Sequence, residues 1–195
     1  MADKQKRLYS PQAILSYPHI FKARAMDEDK KPEYSCCLIF TVGTDLTELK
    51  NVALAVARER WGANADDMIR AGKVVLPFRR DWEAKSYPEG SEYINVRAGE
   101  DYPPGVVSRY KDPATGKARV ITDPKELYPG CVVRASLRVY AWEYKNMKKG
   151  VSFGLGNIQK LEDGERLDSS TSATDEFEAD LTEEPADLDD LIAGV

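Results

Sequence analysis

The chain has 195 residues, 42% hydrophobic and 31% charged, enough for one domain with a sizeable core plus an appendage. No apolar run approaches the roughly 20 residues that a membrane-spanning helix needs. The formal net charge of −5 averages two unlike regions: residues 1–160 carry 27 Lys+Arg against 20 Asp+Glu, and residues 161–195 carry 1 against 13. A body of net charge +7 joined to a tail of −12 leaves a polyanionic partner open despite the low overall pI.

Met1–Ser10 is polar and basic, without the apolar stretch of a signal peptide, so a cytoplasmic protein is expected. Ala13–Ala25 reads as a strand interrupted by Pro18, which predicts an edge or a bulge. Tyr34–Val42 reads as the next strand, its apolar run Cys36–Phe40 predicting burial on both faces. From Asp45 to Trp61 the period changes. Leu46, Leu49, Ala53, Val56 and Ala57 recur at helical spacing, Asp45 and Glu48 form a capping pattern, and Gly62 stops the helix. Asp66–Ala71 adds a short helical turn.

Lys73–Phe78 is read as a strand, followed by the polar loop Arg79-Arg80-Asp81-Trp82. Glu92–Ala98 alternates weakly, and Val106–Lys111 and Ala118–Ile121 read as a hairpin around Asp112–Gly116. Asp123-Pro124 opens a short helix. Cys131–Lys145 then alternates clearly over some 15 positions, and Val151–Lys160 runs back beside it. Strands do not alternate regularly with helices, so a doubly wound parallel sheet is not expected. A small closed barrel or strongly bent sheet, mainly β with one inserted helix, fits the order best. The domain is placed at residues 1–160 and the tail at 161–195.

The long strand also carries the clearest functional pattern. One parity is apolar: Cys131, Val133, Ala135, Leu137, Val139 and Ala141. The other presents Arg134 and Arg138, then Tyr140, Trp142 and Tyr144. Cations for phosphates beside flat rings for bases is the chemistry of single-stranded nucleic-acid binding. Lys145, Lys148 and Lys149 at the hairpin tip extend that face. Arg79, Arg80 and Trp82, and Arg109, Tyr110 and Lys111, also interleave basic and aromatic residues. Lys22 and Arg24 share one parity of the first long strand.

Catalytic and metal chemistry find less support. There is no phosphate-loop, nucleophile-elbow or zinc-protease pattern, and Gly150–Gly156 reads as strand. His19 is the sole histidine, and three cysteines without a CxxC pair are read as buried thiols rather than a zinc site or a disulfide framework. No catalytic residue, cofactor or metal is therefore assigned. A metal-dependent DNA nuclease and a structural or host-interaction β-barrel protein remain as alternatives.

The tail is acidic and Ser/Thr-rich, a composition expected to stay disordered. Within it Leu188, Leu191, Ile192 and Val195 fall at i, i+3, i+4 and i+7, one face of a short amphipathic helix suited to a partner's groove.

Tyr128-Pro129-Gly130, the aromatic strand, Gly150-Val151-Ser152, Leu155–Gln159 and Asp163–Leu167 occur in an order that resembles a phage-encoded single-stranded DNA-binding protein family. That family was long catalogued only as a domain of unknown function. Ser16–His19 and Lys31–Tyr34 also match, so the resemblance covers roughly residues 8–168. It implies an OB-fold core with an acidic C-terminal tail, serving DNA replication and recombination in the cytoplasm of an infected bacterium. It further implies single-stranded DNA as ligand, phage replication or recombination proteins as partners of the tail, and no membrane. A tail of this charge is expected to compete with DNA for the groove. Edge strands leave a homodimer as an admissible assembly. The site residues named above rest on the basic–aromatic pattern, not on the resemblance.

Overall fold

A computed structural model describes residues 8–25, 27, 30–145 and 148–167. The tail beyond Leu167, with the proposed partner face Leu188, Leu191, Ile192 and Val195, lies outside the described residues. Among these residues ten strands form: β1 Leu8–Tyr9, β2 Ala13–Arg24, β3 Glu33–Phe40, β4 Val74–Val75, β5 Phe78–Arg79, β6 Glu92–Gly99, β7 Val106–Lys111, β8 Ala118–Val120, β9 Val132–Tyr144 and β10 Lys148–Glu162. Two helices, α1 Thr47–Trp61 and α2 Ala65–Arg70, lie between β3 and β6.

Five strands close into a ring in the order β2-β3-β6-β10-β9 and back to β2. Every neighbouring pair is antiparallel except β6 with β10. This is the partly open five-stranded barrel of the OB-fold. The alternation in β9 explains the closure. Val133, Ala135 and Leu137 are buried, while Arg134 and Arg138 stand outside. The inward rows of the five strands meet in one core that contains Leu15, Leu38, Phe40, Ile94, Val96, Phe153, Leu155 and Ile158. Burying one such large side chain contributes roughly 1.5–3 kcal/mol.

Helix α1 covers the core with the stripe Leu49, Ala53 and Ala57. It starts two residues later than the sequence predicts. The N-cap position falls on Leu46, which makes no side-chain capping bond, and Asp45 just before it accepts the Thr47 N–H at 2.9 Å. The strand expected over Lys73–Phe78 is instead two short strands broken at Leu76-Pro77, because proline has no N–H to give a ladder. Pro18 produces a register shift between Ser16 and His19, with Tyr17 at φ 46°.

β3 is buried on both faces, as its unbroken apolar run predicts. Cys36, Leu38 and Phe40 enter the main core. Cys37 and Ile39 point outward under a second cluster with Tyr87, Tyr93 and Trp82. Tyr87 donates its hydroxyl to Ser16 Oγ at 3.1 Å, so the segment around 82–87 roofs part of the outer sheet surface. The burial also sets the cysteine chemistry. Desolvation raises all three thiol pKa values, that of Cys37 to about 11. A thiol reagent at pH 8 should therefore leave Cys36, Cys37 and Cys131 unlabelled in the folded protein and label all three after denaturation. Rapid native labelling would contradict this packing.

Beyond β10 the chain is strapped down as far as Leu167. The Tyr128 hydroxyl donates toward Asp163 Oδ1 and the Gly164 carbonyl, both at 3.1 Å, and the Leu167 N–H meets Pro129 O at 3.0 Å. Gly130 makes this close approach feasible. Its φ is +113°, and a β-carbon there would lie 1.9 Å from Glu165 O. Gly130→Ala should lower stability by at least about 2 kcal/mol, measured by denaturant unfolding. An unchanged midpoint would mean that the strap is not a packed part of the domain.

Candidate nucleic-acid interface

The hairpin β9–β10 supplies one wall and the floor of an open groove. Its register sets Trp142 opposite Gly150, Tyr140 opposite Ser152 and Arg138 opposite Gly154. Because side chains alternate along a strand, the outer face of β10 between Gly150 and Gly156 offers only Gly150, Ser152, Gly154 and Gly156, while Val151, Phe153 and Leu155 fill the core. Large rings and arginines thus stand beside a strip nearly free of side chains.

The opposite wall comes from β6 and β5. Val96 and Ala98 point into the barrel, so Asn95 and Arg97 point out. β6 pairs with β10 through Phe153↔Val96 and Gly154↔Arg97. One depression holds Glu33, Arg97, Arg138, Tyr140 and Gly154. A second holds Arg79, Asn95, Arg97, Tyr140, Trp142 and Ser152. A third continues toward β2 with Tyr17, His19, Arg24, Lys85, Asn95 and Arg97. Arg97 is common to all three, so the depressions adjoin one another around it, and the three together are termed the groove.

The rings on the outer face of β9 differ in freedom. Tyr140 is 45% exposed and Tyr144 58%, so both offer faces for stacking. Trp142 is half-buried; its Nε1–H donates to Ser152 Oγ at 2.9 Å, and its six-membered ring lies directly over Gly150. A β-carbon at Gly150 would come within 2.7 Å of that ring.

At the tip, Tyr144 faces Lys148 across the hairpin, and Lys145 Nζ lies 5.2 Å from the Tyr144 ring centroid. Lys149 instead pairs with Glu143 on the helix side. There Glu143 accepts the Trp61 indole N–H at 2.8 Å, which holds its carboxyl below the usual range, and Arg60 approaches to 3.5 Å. The C-terminus of α1 therefore props the hairpin from behind.

Several residues singled out by the sequence pattern stand elsewhere. Arg134 stacks 4.8 Å over the Tyr9 ring, in a separate depression with Asp45 and Glu48. Arg80 is 3.3 Å from Glu92, and Trp82 packs in the second core cluster. Arg109 pairs with Glu162 at 2.9 Å, and with exposed Tyr110 and Lys111 it lies on β7, which joins β10 only at Ile158–Lys160. Lys22 is exposed on β2, two positions before the groove residue Arg24.

Conversely, Arg97, Asn95, Tyr17, His19 and Lys85 line the groove although the basic–aromatic sequence pattern does not point to them. The signal available for Arg97 was the alternation of β6. Only the parallel pairing with β10 turns that alternation into a position opposite Arg138. Among the described residues no group of three or more His, Cys, Asp or Glu is arranged to hold a metal ion.

Comparison with known proteins places this fold. The family described as "Enterobacter phage Enc34, ssDNA-binding protein" matches over residues 8–189. A curated relative, "Putative protein p50" of Acyrthosiphon pisum secondary endosymbiont phage 1, is 28% identical over 184 residues, covering 92% of this chain and 95% of that one. Among solved structures, the single-stranded DNA-binding protein of bacteriophage Enc34 in complex with ssDNA superposes with a TM-score of 0.60 at 21% identity. The match covers 85% of this chain and 91% of that one. The single-stranded DNA-binding protein gp2.5 of bacteriophage T7 also gives a TM-score of 0.60, at 12% identity, over 88% of this chain and 99% of its own.

Proposed function

The chain belongs to the family of the Enterobacter phage Enc34 ssDNA-binding protein, and from that premise we propose that it is a sequence-independent single-stranded DNA-binding protein of a bacteriophage. The observation that carries the reading is the groove itself. Arg79, Arg97, Arg138 and Lys148 can neutralise phosphates, and Tyr140, Trp142 and Tyr144 can stack bases, around a floor of glycine and serine. Stacking on a ring tolerates every base, so the site needs no sequence preference. The β9–β10 tip adds Lys145 and Lys148 beyond Trp142, and β2 adds Lys22 two positions from Arg24, as further cations for the backbone.

Two solved relatives carry the same activity in their names, single-stranded DNA binding by the Enc34 and T7 proteins. On this reading the protein covers and organises exposed single strands during replication and recombination, in the cytoplasm of the infected host. It acts by binding and carries out no chemistry of its own. No helix among the described residues is long and apolar enough to cross a membrane.

The tail extends the mechanism. Residues 168–195 carry ten carboxylates and no lysine or arginine. Their 28 residues reach about 90 Å when extended. In the absence of DNA the tail occupies the cationic groove; DNA displaces it and frees Leu188, Leu191, Ile192 and Val195 for replication or recombination proteins. A homodimer would form through β8, which ends the strand order and carries Val120 at 62% exposure.

Titration of the full chain with oligothymidine at two salt concentrations tests the reading. Saturable quenching of tryptophan fluorescence is expected, with affinity falling as salt rises, because each neutralised phosphate releases counterions. No binding at low salt would favour a structural or host-interaction protein. Loss of end-labelled oligonucleotide in magnesium would favour a nuclease.

A further inference from the structure

We infer that Arg97 and Arg138 clamp a single backbone phosphate seated over Gly154, an inference that rests on the single-stranded DNA reading. Three adjacent strands put these residues in one row, Arg97 on β6, Gly154 on β10 and Arg138 on β9. Neighbouring strands lie about 4.8 Å apart, so the two arginine α-carbons are separated by about 10 Å across the glycine. Both arginines are exposed, both line the same depression, and Tyr140 stands next to them. A guanidinium from each side can donate to different oxygens of one phosphate.

Gly154 is the informative residue. The other outward glycines of β10 are dictated by packing: a β-carbon would lie 2.7 Å from the Trp142 ring at Gly150 and 2.4 Å from Ser136 Oγ at Gly156. At Gly154 the nearest atoms would be Arg138 O and Tyr140 Cε1 at 3.6 Å, then Arg97 O at 3.8 Å. Those are ordinary contacts, and the backbone there is not in the left-handed region. Neither packing nor φ calls for glycine inside this strand, where it weakens the strand and often marks the close approach of a ligand or another backbone. The missing side chain leaves room for a phosphate between the two guanidinium groups.

Glu33 completes the geometry. It lies in the same depression, 3.6 Å from Arg97. Its carboxylate occupies one arginine while the groove is empty and gives way to the incoming phosphate.

The test is oligothymidine binding by the full chain over a range of salt concentrations, read by fluorescence anisotropy. Variants are Arg97→Ala, Arg138→Ala, their double, Gly154→Val and Glu33→Gln. If one phosphate is shared, the slope of log K against log salt in the double variant falls by about 0.7 in total. A fall of about 1.4 would assign each arginine its own phosphate and overturn the clamp. Gly154→Val is expected to keep the wild-type melting temperature and bind about tenfold more weakly. Should valine lower the melting temperature, Gly154→Ala repeats the test with a single added carbon. Wild-type affinity in a folded Gly154 variant would contradict the seat over this residue. Glu33→Gln should tighten binding, and weaker binding would count against the displacement of Glu33. Failure of the wild-type chain to bind oligothymidine would overturn the DNA reading itself, a result distinct from a wild-type chain that binds with the wrong slope.

Discussion

Tyr140→Ala should weaken oligothymidine binding roughly ten- to a hundredfold while leaving the fold intact, since stacking one base on a ring is worth about 1–3 kcal/mol. The ring stands on the outer face of β9, nearly half exposed, and touches both halves of the groove. No hydrogen bond or core contact among those described depends on it. Trp142 is a less clean probe. Its ring covers Gly150 and its N–H satisfies Ser152, so Trp142→Ala removes a packed side chain as well as a stacking surface. That variant should lose much of the fluorescence quenching, bind more weakly and also melt earlier. Tyr110→Ala and Tyr9→Ala serve as controls. Both rings are exposed, but Tyr110 sits on β7 and Tyr9 under Arg134, away from the groove. Equal losses from Tyr110 and Tyr140 would move the binding face to the β7–β8 hairpin.

Truncation after Leu167 should tighten DNA binding by about tenfold at low salt and steepen its salt dependence. A competitor that occupies the groove nine-tenths of the time reduces the apparent affinity by that factor, equivalent to about 1.4 kcal/mol. The cut is placed there because Tyr128, Pro129 and Gly130 hold residues 163–167 against the barrel, so an earlier end would disturb the domain as well as the tail. The sign of the salt effect is definite. In the full chain, added salt weakens both the DNA and its competitor, so part of the loss cancels. In the truncated chain only the DNA contacts remain to be weakened. The two affinities should therefore converge as salt rises and screening shortens the reach of the carboxylates. Identical titrations for the two chains would sink the competition mechanism.

The alternation in β9 made one wall of the barrel and one wall of the candidate groove legible. Its apolar parity becomes the barrel core, and its other parity does face solvent, so barrel curvature does not hide Tyr140 or Tyr144. The second wall was not legible. Arg97 looks like any outward residue of a modest strand until the parallel pairing of β6 with β10 sets it across Gly154 from Arg138. That pairing joins residues more than fifty positions apart, and local periodicity carries no information about it. For the same reason Arg134, which shares its parity with Tyr140, could not be separated from the groove. The β1 strand brings Tyr9 beneath it, and only the tertiary arrangement reveals this. Trp82 shows the opposite ambiguity. A tryptophan beside two arginines reads as a binding motif, yet its ring is needed to cover Cys37 and Ile39, which β3 presents on its outer face. The glycines of β10 were readable as strand, but their meaning as a floor depends on what stands opposite each of them.

Photocrosslinking tests most directly whether the groove over β10 is where single-stranded DNA lies. Oligothymidine carrying 5-iodouracil is irradiated with the full chain, and the adducts are located by mass spectrometry. Adducts are predicted on Tyr140, Trp142 or Tyr144, with Tyr17 next if the strand continues toward β2. Adducts confined to Tyr110 or Tyr9 would contradict the account.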